Sequence, residues 1–306
     1  MPKIVSIGNI SLGGTGKTPF TIFLANKLIS KGYNVAILSR GYKGKIGYDT
    51  NLISDDKKIL LKPPLAADEP YMIAVNCKGV IVITGKDRNK SYQFLLKNFK
   101  NIDFVLLDDA FQHRKMKRDL DILLLDHKNP ISTGLPFPFG YLREFPSAIK
   151  RADIIIFTRA NSFTIPANVK KYIKDKPTFF SKTKPVGVFY QNNLYDLEFL
   201  KDKNVVAFAG IAKNRNFFKL LESLGANLVY TKGFMDHHLY KEREISFLLK
   251  IKERYKADLL ITTEKDFVKM DENLKNLVSY LKIGIEVNEE NRLIEMIEKE
   301  GGNPLD

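Results

Sequence analysis

Short apolar runs alternate with longer stretches in which apolar residues recur every three or four positions. The runs at 4–7, 35–39, 80–84, 104–107, 122–125 and 154–157 are apolar on both faces. That is the pattern of parallel strands covered by helices on both sides of a sheet. The segments between several of them are long enough for crossover helices. The first of these, 18–30, sets Phe20, Leu24 and Leu28 on one face and is followed by Gly32, a helix stop. The alternation predicts a doubly wound, parallel α/β domain. A Lys/Gly/Asp-rich stretch, 43–64, interrupts it as an extended excursion. Beyond Thr158 the spacing predicts a helix at 165–185 and a linker strand at 186–193. A second α/β set follows at 205–209, 217–224, 227–230, 242–255 and 259–262, with a tail helix at 289–299. The expected organisation is a nucleotide-binding domain at 1–175 and a smaller α/β domain at 176–306, joined by a short β linker.

The first strand runs into Gly8-Asn9-Ile10-Ser11-Leu12-Gly13-Gly14-Thr15-Gly16-Lys17-Thr18 and then into the first helix. Strand, glycine loop, Lys-Thr and helix form the setting that a phosphate-binding loop requires. Glycines let backbone N–H groups turn toward phosphate oxygens, and the helix N-terminus adds a favourable dipole. Ser11, Leu12, Gly13, Gly14, Thr15, Gly16, Lys17 and Thr18 are therefore the nucleotide-binding candidates. Lys17 would reach the terminal phosphates and Thr18 would hold Mg²⁺. Ser11 stands where the strict loop has its first glycine. The plain alternative is a glycine-rich turn that ends a strand. A second strand end, Phe104-Val105-Leu106-Leu107-Asp108-Asp109, brings two carboxylates to the edge where open α/β sheets bind ligands. Asp108 is the candidate for Mg²⁺, and Asp109 for metal or substrate; the alternative is an Asp-capped turn. Thr262-Thr263-Glu264-Lys265-Asp266 has the flavour of a guanine-recognition motif, but its Lys and Asp are adjacent and the spacing fails.

Charge narrows the partners only slightly. Lys and Arg total 49 against 35 Asp and Glu, a formal net charge of +14. The excess suits nucleic acid, an anionic membrane surface or a phosphorylated substrate alike. No zinc-finger or RNP aromatic pattern accompanies it, so nucleic acid is not an expected partner. Cys77 stands alone, which excludes a disulfide framework and a Cys-pair zinc site. No apolar stretch approaches the ~20 residues that span a bilayer, and no signal peptide precedes the first strand. A cytoplasmic location is the expectation. Tyr92, Leu95, Leu96 and Phe99 form a helical apolar stripe, read either as sheet packing or as an interfacial surface.

Beyond the phosphate loop, the chain resembles the tetraacyldisaccharide 4'-kinase family, the lipid A 4'-kinases of Gram-negative bacteria. The similar blocks are Gly8-Asn9-Ile10-Ser11 with Gly13 to Pro19, Leu38-Ser39-Arg40-Gly41-Tyr42, Asp68-Glu69-Pro70 and Asp108-Asp109-Ala110-Phe111-Gln112-His113. They continue with Leu135-Pro136, Gly140-Tyr141-Leu142-Arg143-Glu144, Phe208-Ala209-Gly210-Ile211, Asp236-His237 and Thr263-Glu264-Lys265-Asp266. The resemblance implies two α/β/α domains joined by a small β linker. It implies transfer of the γ-phosphate of ATP, with Mg²⁺, to the 4'-hydroxyl of an acylated disaccharide 1-phosphate. By the same resemblance Asp68 matches the catalytic base and His237 its dyad partner. Glu69 and Asp108 match acidic residues near the metal. Asn9, Asp109, Gln112, His113 and Arg143 match polar residues that line the substrate cleft. A peripheral position on the inner face of the inner membrane follows from it, with no obligate protein partner.

Three departures from the family pattern bear on these expectations. Relatives usually carry an amphipathic segment before the first strand; here the chain opens at Met1-Pro2-Lys3, so docking through basic charge and other apolar surface is expected, or else a shortened sequence. Ala110 replaces the usual Gly and would strain a turn that needs positive φ. Ala67 likewise stands where Gly usually precedes Asp-Glu-Pro. Asp68 alone reads equally as a helix N-cap. Two other functions remain open on the sequence: a P-loop kinase of another small acceptor, and a nucleotide-gated binding module.

Overall fold

The structure is a computed structural model that describes residues 1–41, 44, 49–236 and 238–299. It divides into two compact units, Met1–Thr183 with Ile285–Asp306, and Lys184–Gly284. The first unit thus extends past the expected limit at residue 175 and takes back the chain end.

The first unit opens with β1 (Lys3–Gly8), α1 (Lys17–Ser30), β2 (Val35–Ser39), β3 (Asn51–Ser54), α2 (Asp68–Asn76), β4 (Ile81–Thr84) and α3 (Arg88–Asn98). It continues with β5 (Phe104–Asp108), β6 (Leu120–Asp126), β7 (Ile154–Thr158), the single-turn α4 (Lys170–Ile173) and the start of β8 (Thr178–Tyr190). Strand order is β3-β4-β2-β5-β1-β6-β7-β8. All neighbours are parallel except β3, which runs antiparallel to β4. Central strands β1, β2, β5 and β7 are almost wholly buried, as their two-sided apolar runs require. The chain works outward from β1 to one side, then crosses to β6 on the other. β1 is therefore the switch point, where the carboxyl ends of such sheets open a crevice.

Helix α1 ends as the sequence indicates, with Lys31 as C-cap and Gly32 at φ 90°. Two expectations need correction, and one open reading is decided. The excursion at 43–64 contains the edge strand β3, bridged back at Ser54 to Ile59. The helix expected at 165–185 is only α4, because Pro166 and Pro177 bound it and Thr178-Phe179-Phe180 join the sheet beside β7. The apolar stripe of α3 is sheet packing: Leu95 is buried in the core, and Tyr92 and Phe99 pack on it, although Leu96 is exposed.

In the second unit β8 continues and pairs with β9 (Asn193–Tyr195) antiparallel. β10 (Asn204–Ala209), α5 (Asn214–Ser223), β11 (Asn227–Gly233), α6 (Glu242–Arg254) and β12 (Leu259–Thr263) follow. Short α7 (Glu264–Phe267) and α8 (Glu272–Lys275) lead to β13 (Ser279–Val287), which carries the chain back to the first unit and to α9 (Glu290–Lys299). Strands β11-β10-β12-β13 form a parallel sheet, covered by two apolar clusters centred on Phe208 and Leu221. Among the described residues no helix is long and apolar enough to cross a membrane.

One glycine is fixed by close approach. A Cβ on Gly8, where β1 enters the phosphate loop, would lie 2.6 Å from Phe111 Cβ and 2.8 Å from Phe111 N. Backbone would have to move to admit it. Gly8→Ala should lower stability by roughly 1–3 kcal/mol, read as a shifted midpoint in denaturant unfolding. An unchanged midpoint would show that the β5–β6 turn yields freely.

Candidate active site

The phosphate loop takes its shape from two glycines. Gly13 has φ 103° and Gly16, the N-cap of α1, has φ 83°. Neither conformation suits an L side chain. Open space lies where a Cβ of Gly13 would stand, as a cradle for phosphate oxygens requires. Lys17 begins α1, and its Nζ lies 3.4 Å from Asn9 Oδ1 and 3.5 Å from Asp109 Oδ1. Asn9 is wholly buried, and its Nδ2 donates to Ser11 O at 2.9 Å. Thr18 is half-buried on the first turn, and Leu12 is exposed.

The two carboxylates at the end of β5 are electrostatically unlike. Asp108 is buried, with Thr21 Oγ1 donating to one oxygen at 3.1 Å and Ser39 Oγ to the other at 3.3 Å. Burial, with Asp109 beside it, pushes its pKa up, and Lys17 and Arg88 only partly offset this. Burial also acts upward on Asp109, but Lys17 and Arg143 overcome it and hold that carboxyl below its usual range. Asp109 carries φ 53°, which aspartate tolerates better than most residues. The strain foreseen at Ala110 therefore falls one residue earlier: Ala110 is buried and is not a positive-φ residue.

Arg143 Nη1 donates to Asp109 Oδ1 at 2.7 Å and reaches Gln112 Oε1 at 3.4 Å. Gln112 Nε2 donates to Asn9 O at 2.8 Å and to Glu144 Oε1 at 3.1 Å. Arg151 holds Glu144 at 2.9 Å, and these contacts keep the Glu144 carboxyl low against the opposing effect of burial. Asn9, Lys17, Asp109, Gln112 and Arg143 thus form one connected polar group. Thr18 and Asp108 offer hard oxygen donors at its base, a set that suits Mg²⁺, which keeps several waters and takes one or two protein ligands beside phosphate. Among the described residues no cluster of three or more His, Cys, Asp or Glu is preformed for a metal.

Asp68 and Glu69 are half-buried in the first turn of α2. Helix α2 packs on α1 and β4 and ends just before β4 begins. It must therefore run back along the sheet, with its first turn toward the carboxyl edge. Asp68 is not the N-cap: that position is Ala67, in extended backbone at φ −71° and ψ 155°, so the missing glycine there brings no strain. His113 follows the β5 turn, with Nε2 buried and without a hydrogen-bond partner. His237 lies outside the described residues. Its neighbour His238 sits 3.0 Å from Glu244 Oε2 and stacks on Phe234 at 4.6 Å, which is a packing role.

Several residues of this site went unread in the sequence. Arg88 is 2% exposed and sends Nη1 to Gly85 O at 2.5 Å and Nη2 to Asp108 O at 3.2 Å. Burial lowers its pKa to about 10 despite the two carboxylates nearby. Arg159, at the end of β7, donates to Gly14 O and pairs with Asp126. The available signal was position: both arginines follow strands at the carboxyl edge. In Thr263-Glu264-Lys265-Asp266, the first and last residues hold structure. Asp266 accepts from Gly210 N at 2.9 Å and Thr263 Oγ1 at 2.7 Å, and its ion pair with Lys269 is wholly buried.

Burial, with the Arg88 cation adding to it, holds His113 below its ordinary 6.5. The unfolded chain then binds this proton at higher pH than the folded one. His113 contributes stability above about pH 6.5 that is lost as pH falls through its lowered folded value. His113→Gln should flatten that part of the melting temperature against pH; superimposable profiles would contradict the assignment.

A family model described as LpxK, tetraacyldisaccharide-1-P 4'-kinase, matches residues 1–301. Tetraacyldisaccharide 4'-kinase of Desulfatibacillum aliphaticivorans is 41% identical over 277 residues, 87% of this chain and 74% of that protein. The protein of the same name from Desulfotalea psychrophila is 38% identical over 283 residues, 90% of this chain and 81% of that protein. Among solved structures, LpxK from Aquifex aeolicus in complex with ATP superimposes with a TM-score of 0.80 at 30% identity, covering 98% of this chain and 89% of that one. With the family model spanning nearly the whole sequence, this chain belongs to the tetraacyldisaccharide-1-phosphate 4'-kinase family.

Proposed function

We propose that this chain transfers the γ-phosphate of ATP to the 4'-hydroxyl of a tetraacylated disaccharide 1-phosphate, in lipid A assembly. The observation that carries this is the connected group in which Lys17 stands between Asn9 and Asp109 at the head of α1, in a chain of that family. Residues Ser11 to Thr18 hold the triphosphate through backbone N–H groups, and Lys17 neutralises charge on its terminal phosphates. Mg²⁺, when bound by Thr18 and Asp108 with Glu69 near, supplies further neutralisation of the phosphate oxygens. Asp109, still ionised because Lys17 and Arg143 hold it low, keeps both cations fixed and so orients Lys17. Asn9, Gln112, His113 and Arg143 form a polar wall for the disaccharide head group. Asp68 takes the proton of the 4'-hydroxyl as that oxygen attacks the γ-phosphorus and the bond to the departing ADP oxygen breaks, and His237 is the second residue proposed for the reaction.

The enzyme works at the inner face of the inner membrane, reached by its basic surface. The function is tested with two acceptors, one bearing a free 4'-hydroxyl and one already phosphorylated there. Labelled γ-phosphate should move only to the first, and equal labelling of both would contradict the assignment. His237→Ala should depress turnover with little change in ATP affinity; an unchanged rate would remove His237 from the reaction.

A further inference from the structure

Residues 135–145 are built as a rigid loop that shows apolar rings to solvent. Phe137 N donates to Leu142 O at 2.8 Å, Gly140 N to Pro136 O at 3.0 Å, and Leu142 N to Leu135 O at 3.1 Å. Leu142 is wholly buried and anchors the loop. A Cβ on Gly140 would fall 2.2 Å from Leu135 O, so the turn is closed tightly. Yet Phe137 is 71%, Phe139 84%, Tyr141 66% and Phe145 59% exposed. Scattered exposed apolar residues are ordinary, but several large rings on one braced loop mark an interaction surface.

Two neighbours say what that surface meets. The loop is fastened to the phosphate loop itself: Leu12 N donates to Tyr141 O at 2.8 Å and Arg143 N to Ile10 O at 2.6 Å. Basic side chains follow its partner Gln112 in the chain. Gln112 is bonded to Arg143 and Glu144 of the loop, and the next residues, Arg114, Lys115 and Lys117, are exposed cations. Arg114 is near enough to help hold the Glu144 carboxyl low. Aromatic rings beside exposed cations match the chemistry of an anionic lipid interface, where rings settle at headgroup depth and cations meet acidic lipids.

We infer that the loop of Phe137, Phe139 and Tyr141, with Arg114, Lys115 and Lys117, is the surface by which this chain docks on an anionic bilayer. It rests on the lipid-kinase reading, since docking through this loop holds the phosphate loop at the level where a lipid acceptor presents its sugar. The test is co-sedimentation of the whole chain with vesicles of phosphatidylethanolamine containing phosphatidylglycerol, and with phosphatidylcholine vesicles alone. The wild type should bind the anionic vesicles. Phe137→Ser with Phe139→Ser should weaken that binding roughly tenfold or more at every salt concentration. An R114A, K115A, K117A variant should lose the preference for anionic vesicles. Both sets alter exposed side chains, and unchanged melting temperatures will show the fold intact. Equal binding by wild type and the Phe137/Phe139 variant would overturn the inference. So would self-association of the wild type through these rings without vesicle binding. Transfer to a detergent-dispersed acceptor is measured alongside and should be the same in wild type and the Phe137/Phe139 variant. Ring-dependent vesicle binding without any transfer would leave the surface standing and remove the kinase reading. Transfer with ring-independent binding would do the reverse.

Discussion

Lys17→Ala should lower γ-phosphate transfer by roughly 10²–10³-fold or more, the scale expected when a preorganised charge aimed at the reacting group is removed. The side chain is part of the connected group, held by Asn9 Oδ1 and Asp109 Oδ1, and not of an apolar core. Its loss leaves Asp109 paired with Arg143 and leaves the αL turn at Gly16 that starts α1 untouched. The fold should persist, with a melting temperature near that of the wild type. The combination to look for is therefore a lost reaction in an intact protein. Near-normal turnover would refute the phosphate-loop assignment, and unfolding would show that Lys17 serves the structure.

Asp68→Asn should reduce turnover ~10²–10⁴-fold if its carboxylate accepts the hydroxyl proton. The rival role is modest support of α2. Because Ala67 holds the N-cap position, Asp68 supports the helix start as a first-turn acid, worth about 0.3–1 kcal/mol. Such a loss would shift melting slightly and leave turnover unaffected. ATP affinity should be retained, since Asn keeps size and polarity. A fall in melting temperature with unchanged kcat would make Asp68 a helix-start residue and no more.

Much of the first unit was legible because parallel strands advertise themselves. Two-sided burial makes their sequences uniformly apolar, and β1, β2, β4, β5, β6 and β7 all fall on such runs. The phosphate loop was legible because positive φ at Gly13 and Gly16 demands glycine. The misses have physical causes. β3 is four residues, Asn-Leu-Ile-Ser, whose strand character comes from pairing with the edge of β4. Arg88 looks like any surface base at a helix start, and Asp87 caps that helix in the ordinary way; only tertiary placement buries it behind Asp108. The hydroxyls of Thr21 and Ser39 gain meaning because α1 and β2 converge on β5. The strain assigned to Ala110 was misplaced because sequence shows that a turn occurs without showing which residue takes φ above zero. Sequence similarity drew attention to Thr263-Glu264-Lys265-Asp266, while the buried Asp266–Lys269 pair reveals a structural reason for those residues.

The central claim is phosphoryl transfer to a lipid sugar. It is tested most directly by incubating the whole chain with ATP, Mg²⁺ and tetraacyldisaccharide 1-phosphate in mixed micelles and locating the new phosphate by tandem mass spectrometry. One added phosphate on the 4'-hydroxyl of the distal sugar, absent with the Lys17→Ala variant, is the expected product. ATP bound by a folded chain with no phosphate gained by the acceptor, or a phosphate gained at another hydroxyl, would contradict it.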